Sequence, residues 1–507
     1  MSTLNESWGR VGGLDRRRPS AWGWGALGWW VLGLAALLPV VAVMLRYPQY
    51  LVAMAIAVPL VIAAVLVVLY RPAWGACALI LLVYWTASIV LTETFGFSWL
   101  LRLAIAGALA AWLLERMLRH NHQPLRWPLL QPMLLWGAAL VVCAAFADSR
   151  TVAAGQLYEY GKVLVVFYIV VNFLRSPRWW RRGADALLAA VALLSFPVLY
   201  QGLTGSHFTF WGFGAMAYKA LVPGEMGWRL GGALGDPNFL AMVLVAALPI
   251  AAIQALEPRA HWFRRLWALG VLAVALGAML FTYSRGGAVG VALMVVVLLV
   301  AHPRRQWVLS ALVAGVLIAT ALAPQALWGR LSTLVENSIT ASAQQMTDSS
   351  YRIRRHEMIT GLLMFLHHPI VGVGPGNFEV EYLKYSAMAG RSGETIVRDP
   401  HSLYTQLLAE EGLVGVAAFV WLLVASFRYL ERGRRRARRL GAVTFAHLLA
   451  SFELAVVVYL VCSIFLHDAY FRHFFLLLAL GALGAMLALE ARPAHRREAR
   501  AAALSSE

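Results

Sequence analysis

Charge is scarce in this sequence, and acidic charge most of all: 25 aspartates and glutamates stand against 43 lysines and arginines, and charged residues make up only 13% of the chain. With 61% apolar residues and a mean hydropathy of +0.68, a water-soluble fold is excluded. Cysteine is nearly absent. Cys77, Cys143 and Cys462 lie far apart in apolar runs, which excludes a disulfide framework and a cysteine metal site. The first twenty residues hold Arg10, Arg16, Arg17 and Arg18 but no apolar core or cleavage site, so no signal peptide is expected and the first span does the targeting. No internal repeat is present.

What the chain has instead is apolar runs of about twenty residues, the length needed to cross a hydrocarbon core of roughly 30 Å. A β-barrel would need strands of about ten residues with alternating polarity, and these are missing. The pattern predicts an all-α, polytopic membrane protein of about 14 transmembrane helices. They are expected near 24–44, 48–70, 73–92, 97–117, 128–147, 156–174, 184–203, 235–255, 265–283, 286–302, 306–324, 412–430, 442–466 and 471–490. The formal charge of +18 sits in short connectors such as RSPRWWRR, EPRAHWFRR and RGRRRARR, as a positive-inside bias requires. Nucleic acid is therefore not an expected partner, whereas membrane lipids are. With the N-terminus inside, every arginine-rich connector is cytoplasmic. The loop 204–230, the TYSRGG junction and the loop 325–411 then face outward.

The longest polar interval runs from Asp348 to Gly415 and holds DSSYRIRRHEM, HHPIVGVGPGNF and RDPHSLYTQLLAEEGLVG. A helix is expected from Asp348, Ser349 or Ser350, any of which would cap it. On that helix Arg352, His356 and Leu363 share a face. Guanidinium groups bind phosphate with paired hydrogen bonds, so Arg352, with Arg355 and His356 nearby, is the expected anion ligand of this helix. Arg285, at the edge of an apolar helix, costs up to about 3 kcal/mol if central and so calls for an anionic partner. Gly286 and Gly287 after it would let a headgroup approach. Asp399 and Pro400 read as an N-cap and first helical residue, placing His401 in a first turn. There the helix dipole disfavours the imidazolium while Asp399 favours it, so the sign of the shift stays open; a neutral His401 would serve as a general base. The GVGPGNF turn, with Gly374 and Asn377, could aim N–H groups at an anion. Asn238 in GDPNF and Tyr404 are further candidate substrate contacts. His467 and Asp468 form no metal pattern with a second ligand pair, and no metal is expected. There is no Walker loop, no nucleophile elbow and no outward-facing DxD-like pair.

TYSRGG at a span junction, SYR at a helix start, HPIVGVGPGNF and HSLYTQLLAEEGLVG together resemble the O-antigen ligase and polymerase superfamily of bacterial envelopes. The sharpest element is the pattern His401, Ser402, nine residues, Gly412, two residues, Gly415. The resemblance covers about 230–430. It implies a GT-C-like fold with a helical periplasmic cap and a metal-independent, inverting glycosyltransferase without a cofactor. Such an enzyme moves a glycan from undecaprenyl pyrophosphate to a hydroxyl acceptor, with lipid A core foremost, at the outer face of the bacterial inner membrane. By motif, Arg285 and Arg352 would hold the pyrophosphate and His401 would activate the acceptor. Fourteen spans exceed the family's usual twelve. The expected division is a bundle over 1–324, a periplasmic loop domain over 325–411, and C-terminal helices with a basic cytoplasmic tail over 412–507. Two other acceptors, a growing polysaccharide or a protein, share the donor chemistry. A small-anion transporter is the alternative from another class, disfavoured because its ionisable groups would sit near mid-membrane in paired halves.

Overall fold

The computed structural model describes residues 71–467, apart from 97–98, 119–123, 223–224, 303, 311–312, 314–348, 392 and 394, and then 472–491. The expected spans 24–44 and 48–70, most of 306–324, Asp348 and Asp468 lie outside the described residues. The described chain is helical almost throughout. Its helices are α1 (Pro72–Tyr84), α2 (Ala87–Phe95), α3 (Leu100–Leu118), α4 (Leu130–Ala145), α5 (Arg150–Phe173), α6 (Pro177–Thr204), α7 (Pro237–Leu256), α8 (Trp262–Leu280), α9 (Arg285–Ala301), α10 (Ser349–His367), α11 (Phe378–Met388), α12 (Leu403–Arg439), α13 (Val443–Cys462) and α14 (Arg472–Glu490).

Seven of these, α5 to α8 and α12 to α14, are long and apolar enough to cross a membrane, and the pair α1–α2 makes an eighth if counted as one bent span. The figure of fourteen is thus not reached among the described residues. Three of the expected spans lie wholly or mostly outside the described residues, α3 is apolar only over Leu100–Leu113, and α4 and α9, with 16 and 17 residues, reach about 24–26 Å against a hydrocarbon core of roughly 30 Å. The expected span 73–92 is two helices bent by 59°, because Thr86 between them takes a left-handed backbone at φ +57.

Helix starts follow the local chemistry. Ser149, Ser176, Asp236, Ser284 and Ser402 each accept a hydrogen bond from a backbone N–H of the first turn, and proline opens α6 and α7. Helices α7 and α14 are apolar on every side and are the most enclosed spans. Helix α7 packs against α6, α8, α9 and α13, and α14 against α5, α12 and α13.

The basic connectors gather at one end of this bundle. There Arg264 pairs with Asp185, Arg126 with Glu490 at 2.8 Å, and Arg434 with Glu453 at 3.1 Å. RGRRRARR is no connector but the last turns of α12, whose 37 residues extend about 55 Å if straight, well beyond a membrane core. The loop over 204–230 also holds structure that the sequence pattern did not show, an antiparallel hairpin of β1 (Ala215–Val222) and β2 (Glu225–Gly232).

At the opposite end, α10 and α11 share a small core of their own, formed by Met364, Val373, Phe378, Tyr382, Tyr385 and Ala409. Its junction with the bundle is a break in α12 at Gly412, where φ is +58 and ψ −157. The backbone groups freed by this break are taken up by the GVGPGNF turn and by Pro369 and Ile370 just before it. Val373 N donates to Ala409 O and Gly374 N to Glu410 O, both at 2.9 Å. In return Leu413 N donates to Pro369 O at 2.9 Å and Val414 N to Ile370 O at 3.0 Å. Only glycine fits at position 412, since a Cβ there would lie 2.6 Å from the Ile370 backbone. Gly415 is needed for a related reason, its absent Cβ leaving room for the Glu411 side chain. Gly412→Ala should therefore lower stability by about 2 kcal/mol or more, read as a lower melting temperature in detergent. An unchanged melting temperature would contradict this account of the break.

Candidate active site

The stitch between α12 and the turn brings sequence-distant side chains to the non-basic end of the bundle. Arg285 is the first residue of α9, after a four-residue turn from α8 in which Tyr283 has φ +53 and Ser284 caps. TYSRGG is therefore a break between two helices. The hairpin fixes it: Arg229 on β2, only 5% exposed, donates to Thr282 O at 3.1 and 2.9 Å and to the Asn238 side chain at 3.0 Å. Arg229, Asn238, Tyr283, Ser284, Arg285, Gly286 and Arg354 line one narrow cleft with Phe465 and Leu466. Gly286 faces the cleft, whereas Gly287 serves packing, with no room for a Cβ against Ala241.

Of the three arginines on α10, Arg354 is the one in this cleft. Arg352 and Arg355 are exposed, and Arg352 does not line the cleft with Arg285. The reason is register. His356 is buried, with Nε2 2.9 Å from Ser386 Oγ, and Glu357 is wholly buried; these inward positions bring Arg354, one turn back from Glu357, inward as well. Burial pushes the Glu357 carboxyl up to about 7, against the pull of Arg398 and Arg354.

His401 does not sit in a first helical turn. Helix α12 starts at Leu403 with Ser402 as cap, and Leu403 N donates to the carbonyls of Ser463 and Leu466 in the connection after α13. Ser402 and not Asp399 caps the helix, and the Asp399 carboxyl lies 3.7 Å from His467 Nε2. His401 itself is held at φ +44, a conformation that costs a non-glycine residue about 1 kcal/mol or more. Its ring packs edge-on against His467, centroids 5.8 Å apart, and its Nδ1 is buried without a hydrogen-bond partner. The open sign resolves downward. Burial, then the charges of Arg354 and His467, lower His401 from 6.5 to about 4, against the weaker upward pull of Asp399 and Asp236. The imidazole is thus neutral across the physiological range.

The remaining candidates make contacts within the chain. Asn377 is buried, accepts from Ser149 N at 2.7 Å and donates to Pro375 O at 3.1 Å, closing its turn. Gly374 has φ +103 and packs against Ala147. The turn does aim a backbone donor at an oxygen, but that of an internal group: Phe378 N donates to Glu410 Oε1 at 3.3 Å. Tyr404 reaches Leu460 O at 2.9 Å on α13. Sequence reasoning missed Arg354 as the inward arginine, and Arg229, Glu379 and His467 as neighbours of the site. A signal existed for Arg354 alone, three residues before Glu357 on the buried face. Among the described residues no group of three or more histidine, cysteine, aspartate or glutamate side chains is placed to hold a metal ion.

Residues 270–420 match the family model described as O-antigen ligase, Wzy_C. The matched segment runs from α8 into α12 and contains Arg285, Arg352, Arg354, Glu379 and His401. The expected resemblance to the O-antigen ligase superfamily therefore holds over this segment, and with it a membrane glycosyltransferase-type function of the ligase or polymerase kind. No curated protein matches the chain.

Because the folded value of His401 lies below its ordinary one, the unfolded chain takes up the proton first as pH falls. The stability tied to the neutral ring is complete above about pH 6.5 and is lost between about 6.5 and 4. On lowering the pH from about 7 to about 4.5, wild-type protein should lose more melting temperature than His401→Gln protein. Equal losses would contradict the burial of a neutral imidazole.

Proposed function

We propose that this protein is an inverting glycosyltransferase that moves a glycan from undecaprenyl pyrophosphate to a hydroxyl acceptor at the periplasmic face of the bacterial inner membrane. Lipid A core is the acceptor we favour, with repeat-unit polymerisation and transfer to protein as the runners-up of the same chemistry. The observation that carries this reading is a neutral, unpartnered imidazole at His401 beside a cleft that holds both Arg285 and Arg354.

The roles follow from charge. The acceptor O–H gives its proton to a ring nitrogen of His401 as its oxygen forms a bond to the anomeric carbon. The bond from that carbon to the pyrophosphate oxygen breaks with its electron pair. Charge grows on the departing pyrophosphate, and two guanidiniums from different helices meet it there. Arg285 adds the positive end of α9, whose first residue it is. Attack opposite the leaving group inverts the anomeric centre. The pyrophosphate role first expected of Arg352 passes to Arg354. A site at the end of the bundle suits a donor whose polyprenyl tail stays in the membrane. The segregation of basic residues to the other end supports an outward-facing site by the positive-inside rule.

The test is transfer of a lipid-pyrophosphate-linked glycan by purified protein in nanodiscs. Arg285→Ala and Arg354→Ala should each lower transfer by about 100-fold or more, while Arg352→Ala stays within about threefold of wild type. His401→Ala should lower transfer by about 100-fold or more with donor affinity retained. Full transfer by His401→Ala or Arg285→Ala protein would overturn the assignment. In cells, a deletion strain separates the acceptors: unligated core, core carrying a single repeat, or unglycosylated protein.

A further inference from the structure

The connection from α6 into β1 carries no aspartate, glutamate, lysine or arginine over the fifteen residues from Thr204 to Tyr218, yet it holds Phe208, Phe210, Trp211, Phe213 and Tyr218. A loop that runs through water is ordinarily polar, and this one is not. Its rings extend a ridge that begins on α6. Along the second half of that spanning helix Leu193, Phe196, Tyr200 and Leu203 follow helical spacing and are exposed, as the lipid-facing stripe of a span is. Phe210 packs on Phe196 and Tyr200 with ring centroids 5.9 and 5.4 Å apart, Phe208 lies on Phe210 at 4.8 Å, and Trp211 lies on Phe208 at 5.6 Å. The ridge therefore continues from a membrane-spanning surface into the connection.

Two further features say what covers this ridge. Phe210 and Trp211 have left-handed backbones, φ +49 and +53, each costing a bulky residue on the order of 1 kcal/mol or more. Trp211 nevertheless stays 67% exposed, so most of the surface that could offset its strain lies outside the described chain. The polar groups of the connection, in contrast, are satisfied from within. Gln201, buried on α6, donates from Nε2 to Phe208 O at 2.8 Å and to Gly214 O at 2.7 Å, and Gly212 N and Gly214 N donate to Thr209 O at 3.0 and 2.8 Å. Thr204 Oγ1 donates to Tyr200 O at 2.7 Å, and Ser206 Oγ accepts from Phe208 N at 3.2 Å. Internal pairing lowers the cost of leaving bulk water, and the headgroup layer is where tryptophan and tyrosine rings settle.

The hairpin has two faces of different character. Tyr218 pairs with Trp228 across the strands, rings 5.2 Å apart, and His207 meets Trp228 at 5.6 Å; Tyr218 and Trp228 are both about half exposed. Arg229, the next residue along β2, points to the opposite face and holds the TYSRGG turn through Thr282 O. A two-stranded hairpin is marginal in water, and β2 packs on α6 and α7. We propose that the ridge from Phe208 to Tyr218, with Trp228, lies in the lipid headgroup layer at the non-basic end of the bundle. The hairpin is then held between lipid on its Tyr218–Trp228 face and the TYSRGG turn on its Arg229 face. This surface takes lipid whether or not the chain is a glycosyltransferase, because no part of the argument uses the reaction.

The experiment uses full-length protein in nanodiscs of phosphatidylethanolamine and phosphatidylglycerol labelled in their acyl chains. The photoreactive residue p-benzoylphenylalanine is placed at Trp211 and, in a separate protein, at Tyr218. The same probe at Leu203, on the exposed stripe of α6, and at Arg355, on the outer helix α10, supplies the high and low references. On irradiation the probes at Trp211 and Tyr218 should each capture lipid within about twofold of the Leu203 yield and about fivefold or more above the Arg355 yield. Should one of the two proteins fail to fold, the other decides. Lipid capture at the Arg355 level from a folded protein would overturn the proposal and leave the ridge in water. Adducts with a second copy of the chain, or with added lipid-linked glycan, in place of phospholipid would overturn it too, by giving the ridge a different occupant.

Discussion

A helix that is broken and re-tied holds this site together. At Gly412 the backbone of α12 leaves helical geometry, and four hydrogen bonds that a straight helix would have kept to itself go to the segment 369–374 instead. Backbone groups buried in an apolar bundle must be paired, so the break and the turn require each other. The side chain of Glu410 reinforces the tie by accepting from Phe378 N at 3.3 Å. Through this joint, α10 with Arg354 and α11 with Glu379 are held against the start of α12, where His401 sits. Without it the outer helices would have no defined position over the bundle.

Electrostatics then sorts the cluster into roles. His401 is surrounded by groups of both signs, Arg354 and His467 opposing Asp399 and Asp236, but burial outweighs them all and keeps the ring neutral. Arg229 donates hydrogen bonds to Thr282 O and the Asn238 side chain and thereby fixes the turn that carries Arg285. A rigid, positively charged cleft beside an uncharged imidazole suits a reaction in which negative charge develops on one side of a carbon and a proton is lost on the other.

Much of this was legible in the sequence because hydropathy and arginine placement are strong, local signals. The expected spans 235–255, 265–283 and 286–302 fall on α7, α8 and α9, and TYSRGG falls on a break between two helices. What was not legible depends on partners far away in the chain. Arg352 and Arg354 look alike in sequence, and only the packing of His356 and Glu357 decides which turns inward. Helix α12 starts at Leu403 and not at Pro400, with Ser402 as its cap, while Asp399 faces His467, which is no neighbour in sequence. The glycines of GVGPGNF carried a true signal for a backbone cradle, but the group cradled is Glu410 of the chain itself. Gly412 and Gly415, which mark the family pattern, are explained by backbone and side-chain space and not by contact with substrate.

The most direct measurement is the structure of the full-length protein in nanodiscs bound to a lipid-pyrophosphate-linked glycan. The account predicts the pyrophosphate between Arg285 and Arg354, with the anomeric carbon facing His401. A pyrophosphate bound away from both arginines, or on the side of the bundle where Arg264 meets Asp185, would contradict it.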